Sequence, residues 1–211
     1  MISIETLDLG HFTRPAAEWG GPHDRREPAL GYLVRYEGGA LVFDTGLGEG
    51  SPEADAHYRP VRRPLAVGPD DVDLVVNCHL HFDHIGGNQR FPRTPVLVQR
   101  TELATALAGD YTIDALLPGV RYVELDGEHE IAPGVRVVPT PGHTDGHQSL
   151  VLDHGDRVTL LAGQAYDFAH EFGTPYRSWL GRIGELAAGR RVRVLFAHDH
   201  EVWEGTLPLP R

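Results

Sequence analysis

Lysine is missing from all 211 residues, so every fixed cationic side chain is an arginine. That absence excludes an imine or lysine-nucleophile mechanism. A single cysteine, Cys78, forbids an intrachain disulfide and a cysteine-built zinc cage. Basic residues are also scarce, 19 against 30 acidic ones, for a formal net charge of −11. Nucleic acid is therefore not an expected partner, because such binding rests on a basic face that releases counterions. No apolar run approaches the roughly 18 residues of a membrane span. The opening residues, Met1-Ile2-Ser3-Ile4-Glu5-Thr6-Leu7-Asp8, carry neither the basic nor the apolar region of a signal peptide. The expectation is a cytoplasmic chain without a membrane partner.

What is present is a globular composition: 41% hydrophobic residues to build a core, with 25 glycines and 16 prolines to turn the chain. The length suits one domain over residues 1–211. Alternating apolar and polar side chains predict a strand over 2–9, and Leu30 to Tyr36 and Ala40 to Phe43 read as a hairpin around Glu37-Gly38-Gly39. Residues 46–69 read as loop with a short helix near 52–58. The apolar run 72–78 predicts a strand buried on both faces. Further strands are expected at 96–99, 122–125, 135–138, 149–152, 158–162 and 192–197. Thr101 is expected to cap a helix running to about Ala108, and a second helix is expected over 175–188. Many strands with a few helices predict α/β layers.

The abundant residue of note is histidine, with 13 copies. His79-Leu80-His81-Phe82-Asp83-His84 directly follows the buried strand. In an extended segment the side chains at i and i+2 point the same way, so His79 and His81 can hold one ion together. Asp83 is expected to continue that face, with His84 at the start of a turn that Gly86 and Gly87 permit. Four metal-capable groups in six residues suit two ions side by side, and imidazole with carboxylate favours zinc or a neighbouring first-row metal. A second cluster, Thr140-Pro141-Gly142-His143-Thr144-Asp145-Gly146-His147, offers His143 as a third ligand to the first ion, with His147 behind the ligands. A third, Phe196-Ala197-His198-Asp199-His200, offers His198, with His200 as the alternative.

These residues, His79-x-His81-x-Asp83-His84 with its glycine turn, Pro141-Gly142-His143-Thr144 and the late His198-Asp199, resemble the metallo-β-lactamase superfamily. Phe43-Asp44-Thr45-Gly46 is similar to that family's early strand-end motif, whose aspartate supports the metal site. The resemblance runs from about residue 2 to about 205 and implies a four-layer αββα sandwich with the metals at one edge. Within the superfamily the stretches 79–88 and 141–149 look most like N-acyl-homoserine-lactone lactonases.

One position departs from the family. After Leu160-Leu161-Ala162-Gly163 the resemblance implies an aspartate bridging two metals, and this chain has Gln164. A neutral amide oxygen can coordinate but brings no charge, so the second site is expected to bind more weakly unless Asp167 substitutes. Tyr166 is expected to donate a hydrogen bond to the reacting oxygen or to pack on Phe168. Phe12, Trp19, Phe168 and Tyr176 are expected to form an apolar wall for an acyl group. The expected activity is a zinc-dependent hydrolase, two ions per chain, that opens a small lactone or related ester by metal-activated hydroxide. In that reading Asp83 is both ligand and proton acceptor, while Asp44 and His147 orient imidazoles. The alternatives are a one-metal or non-catalytic member, and a thioesterase of the glyoxalase II kind; the chain's end at Arg211 is expected to leave no room for that family's C-terminal extension. A homodimer is an open expectation.

Overall fold

The computed structural model describes residues 1–165, 185 and 187–204. Strands β1 (Ser3–Arg14), β2 (Arg25–Tyr36), β3 (Gly39–Phe43), β4 (Val61–Arg62), β5 (Leu74–Val76), β6 (Pro95–Gln99) and β7 (Arg121–Leu125) form one sheet. Its order is β4-β1-β2-β3-β5-β6-β7. Strands β8 (His129–Ala132), β9 (Val135–Pro139), β10 (Gln148–Asp153), β11 (Arg157–Gly163) and β12 (Arg191–Phe196) form the second, in the order β12-β11-β10-β9-β8. Both sheets are mixed. β3, β5, β6 and β7 run parallel, as do β11 and β12, and the remaining pairs are antiparallel.

The period-2 alternation of each strand decides the layering. Tyr32, Val34, Leu41, Phe43, Val76 and Leu97 of the first sheet meet Val135, Val137, Leu150, Leu152, Leu161 and Leu195 of the second in one buried core. Their sequence neighbours Leu33, Val42, Val75 and Val96 point to the opposite face of the first sheet. After the short helices α1 (Ala16–Trp19) and α2 (Pro52–Tyr58), helix α3 (Phe82–Ile85) and helix α4 (Arg100–Leu107) flank that sheet, where Leu80, Ile85, Val98, Leu103 and Ala106 pack together. Val138, Val151, Leu160 and Ala162 fill the outer face of the second sheet.

Several boundaries differ from expectation. β1 continues past residue 9 because Gly10, at φ +108°, takes a bulge between Asp8 and His11 that restores the ladder. The strand expected over 72–78 shortens to Leu74–Val76, since the backbone beyond it leaves the ladder to form the histidine loop. The sequence reading does not expect β8; its His129-Glu130 start is polar because, among the described residues, it is an edge strand paired with β9 alone. Thr101 does not cap α4. Gln99 occupies the N-cap without a side-chain cap bond, its amide being committed to Gln148 Oε1 at 2.8 Å and Gly127 O at 3.0 Å. The helix expected over 175–188 lies largely outside the described residues.

Strand ends from both sheets converge at one edge of the sandwich. The loops after β3, β5, β9, β11 and β12 meet there, joined by backbone bonds from Asp44 to Val76, Gln148 to Cys78, Leu30 to Ala197 and Ala197 to Gly163. Beneath them runs a buried amide network. Gln148 Nε2 donates to Asn77 O and Leu97 O, and Asn88 Nδ2 donates to Asn77 Oδ1. Thr45 Oγ1 closes it on Asn88 Oδ1 at 2.8 Å. Fully paired buried amides of this kind hold a loop in a single conformation.

Candidate metal centre

Three side chains gather first. His79 Nε2 lies 2.8 Å from His81 Nδ1, and His143 Nε2 lies 3.2 Å from the same atom. His79 and His81 are brought together by the extended backbone at 79–81, and His143 reaches them from the loop after β9. The ligand atoms of these three lie within 4.8 Å of one another.

A second group, Asp83, His84 and His198, forms beside it. Here the structure corrects one expectation. Asp83 does not continue the face of His79 and His81, because α3 begins at Phe82 and turns the carboxylate away toward His84 and His198. Asp83 Oδ2 lies 3.3 Å from His84 Nε2 and 3.4 Å from His198 Nε2. His198, fully buried, is the histidine of the last cluster brought to this group; His200 starts a one-turn helix (His200–Trp203) and packs near the Trp203 ring. Gln164 directs Oε1 to 3.2 Å from His84 Nε2.

The hydrogen bonds behind these rings set which nitrogen faces the site. Asp44 sits at the end of β3 with φ 60°, accepts the Cys78 N–H on Oδ1 at 2.8 Å and the His84 Nδ1–H on Oδ2 at 3.0 Å. His198 Nδ1–H donates to Pro28 O at 2.6 Å. His198 Nε2 therefore carries a lone pair, and it is buried with no hydrogen-bond partner among the described residues. The His198 lone pair, the Asp83 carboxylate and the Gln164 amide oxygen crowd one small space around His84 Nε2, an arrangement that a cation relieves, whether the proton on His84 or a metal ion. The donor set of nitrogen and oxygen, without thiolate, fits zinc or a similar first-row metal in two adjacent sites. His147 stands behind His79, with Nδ1 2.8 Å from Thr140 Oγ1.

Electrostatics fit the same reading. Burial, reinforced by the surrounding imidazoles, drops His79 well below the ordinary histidine value, and burial takes His81 down to about 4. Both rings are neutral near pH 7, the form that binds a metal. Burial opposes the charged form of Asp83, but the imidazoles of His84, His198 and His81 outweigh it and hold the carboxyl well below its usual range. His84 goes the other way. Burial disfavours its cation, but the carboxylates of Asp83 and Asp44 raise it well above the normal value, so without an ion it keeps a proton that a metal would displace. Burial pushes the Cys78 thiol up to about 12, so it stays protonated behind the rings, 3.1 Å from His79 Nδ1.

These groups open into a cavity of about 250 Å³. His81, Asp83, His143 and Gln164 line it together with the rings of Phe12, Tyr58 and Phe82 and the charged side chains of Arg14, Glu18 and Glu27. Tyr58 stacks on Phe82 at 4.9 Å, and the Phe12 ring stands edge-on to Tyr58 at 6.0 Å and to His198 at 5.6 Å. Of the four residues expected in an apolar wall, Phe12 lines the cavity. Trp19 does not, because its indole N–H donates to His23 O and the Arg25 guanidinium lies over its ring. Tyr166, Asp167, Phe168 and Tyr176 lie outside the described residues. Sequence reasoning missed Tyr58, Tyr111 and Glu102. The first ends the short helix expected and found over Pro52–Tyr58, where nothing in the sequence directs its ring toward the site, and no local motif marks the other two.

Comparison with known proteins places this geometry. The profile of the metallo-beta-lactamase superfamily matches residues 24–207. An N-acyl homoserine lactonase of Bacillus thuringiensis is 32% identical over 207 residues, covering 82% of each chain. A lactonase of the same description from Agrobacterium fabrum is 29% identical over 224 residues, with 82% of this chain and 80% of that one covered. Among solved structures, an N-acyl homoserine lactone hydrolase with N-hexanoyl-L-homoserine at its catalytic metal centre superposes with a TM-score of 0.82 at 26% identity, covering 98% of this chain and 96% of the other. With its two facing mixed sheets and its strand-end histidines, the chain belongs to the metallo-beta-lactamase superfamily.

Proposed function

We propose that the chain is a metal-dependent hydrolase that opens the ring of a lactone of the N-acyl homoserine type. His79, His81 and His143 hold one zinc ion. Asp83, His84 and His198 hold a second, with the Gln164 amide oxygen turned toward it. The observation that carries the reading is two adjacent three-ligand groups, of which His81, His143 and Asp83 line one cavity together with Phe12, Tyr58 and Phe82. When bound, the ions supply Lewis-acid polarisation of the ester carbonyl and a water of lowered pKa.

The chain's own residues do the remaining work. Phe12, Tyr58 and Phe82 give the acyl chain an apolar surface and keep bulk water from the reacting end. Asp83, ionised at working pH, accepts the proton lost by the attacking water, and as a weak base returns it to the leaving ring oxygen. Asp44 fixes the His84 ring, and Pro28 O fixes the His198 ring, so that both present Nε2 to the site. The lactonases named above, related over most of this chain's length, support the substrate class.

The test is a pH-indicator assay on acyl homoserine lactones, unsubstituted lactones and thioesters, each with and without chelator. Lactone opening that chelator abolishes and zinc restores is the expected result. Hydrolysis of thioesters alone would replace the lactonase reading with the glyoxalase-like one.

A further inference from the structure

Glu102 stands in α4, on neither of the loops that carry His79, His81 and His143, yet its carboxylate touches both. Its side chain is buried. Oε1 accepts the backbone N–H of Leu80, the residue between His79 and His81, at 2.8 Å. Oε2 accepts the hydroxyl of Thr144, the residue after His143, at 2.7 Å. The Tyr111 hydroxyl also donates to Oε1, and the Tyr111 ring lies 4.7 Å from the His81 ring. The second loop approaches so closely that a Cβ at Gly146 would come within 2.4 Å of the Glu102 backbone nitrogen.

We propose that Glu102 is a positioning residue that sets the spacing of His79, His81 and His143, and so the affinity of the first metal site alone. The inference rests on the metal reading of the preceding section. His79 and His81 follow a strand of the first sheet and His143 a strand of the second, so no single element carries all three ligands, and the Gln148 bonds to Asn77 and Cys78 join the strand ends behind them rather than the ligand loops themselves. One buried carboxylate bonded to both loops ties them together directly beside the ligands. Asp83, His84 and His198 receive no bond from Glu102, and Asp44 and Pro28 orient the rings of that group instead. A glutamine at 102 can make the same three bonds: its oxygen accepts from Leu80 and Tyr111, and its NH₂ donates to Thr144 Oγ1. An alanine can make none.

The experiment is a chelator-competition titration of the full chain with zinc, paired with the visible absorption spectrum of the cobalt-loaded protein. Glu102→Ala is expected to weaken one of the two binding steps about 10–100-fold, as loss of a ligand-orienting partner does. The other step should stay unchanged and the cobalt spectrum should shift; Glu102→Gln restores both. Two unchanged zinc affinities in Glu102→Ala, or an equal loss at both sites, would overturn the proposal. Should Glu102→Ala fail to fold, Thr144→Val cuts only the bond to the second loop. It is expected to weaken the same step by a smaller factor, and an unchanged affinity would be the contrary result. Lactone hydrolysis is scored separately. Wild type that binds two zinc ions and opens no lactone rejects the proposed function while leaving this outcome readable.

Discussion

At the scale of single residues, the site is a set of acceptors aimed at one another and kept in place by partners behind them. Asp44 illustrates the arrangement, with one oxygen on the Cys78 N–H and the other on the His84 ring. Asp44→Ala leaves two buried donors without an acceptor. The expected cost is about 1–3 kcal/mol per donor in urea denaturation of the metal-free protein, together with roughly 10–100-fold weaker zinc binding at the second site in a chelator competition. Gln164 supports an opposite prediction. Its neutral amide faces His84 Nε2 at 3.2 Å in the place where the family resemblance implies a carboxylate. Gln164→Asp adds a negative charge beside the ions and is expected to tighten the weaker zinc step by on the order of tenfold or more in the same titration. A looser second site in that variant would show that the 164 side chain is not directed at the metal.

At the scale of elements, the glycine turn after the histidine loop is a packing requirement. A Cβ on Gly86 would lie 1.6 Å from the Gly48 nitrogen, backbone against backbone, with no flexible side chain to yield. Gly86→Ala is expected to lower the melting temperature by several degrees, since the displacement must move either the loop after β3 or α3. An unchanged melting temperature would contradict the close approach. The same elements show what was legible in the sequence. The histidine loop was readable because its chemistry is local: six consecutive residues carry four metal-capable side chains, and period-2 geometry sets His79 and His81 beside each other. Asp83 was misplaced because the one-turn helix α3 has no apolar periodicity to announce it. Glu102 and Tyr111 were invisible because their roles arise from contacts with loops far away in sequence, Thr144 among them. β8 and β4 escaped because short edge strands carry polar or exposed residues, Val61 at 49% exposure for example.

At the scale of the whole molecule, two sheets share one core while the ends of their strands share one charged site, and this ties stability to pH and to metal. In the metal-free protein, His79 and His81 are held neutral while the unfolded chain's histidines titrate near 6.5. The unfolded state therefore binds more protons as pH falls from about 6.5 toward 4, and stability is lost in that window. His84 is raised, so its contribution is present below pH 6.5 and is lost as pH rises through its folded value. The urea midpoint in excess chelator is accordingly expected to peak near pH 6.5 and decline on both sides. With zinc bound the alkaline decline should disappear, because the ion replaces the His84 proton. A midpoint that rises steadily from pH 5 to pH 8 without metal would refute the charge assignment of His84. The central claim, two adjacent ions held by six ligands with an amide at position 164, has its most direct test in metal content. Protein purified without chelator or added zinc and measured by plasma mass spectrometry should carry close to two metal ions per chain. One ion or none would mean that the Asp83, His84 and His198 group does not hold a metal, and the dinuclear account would fail.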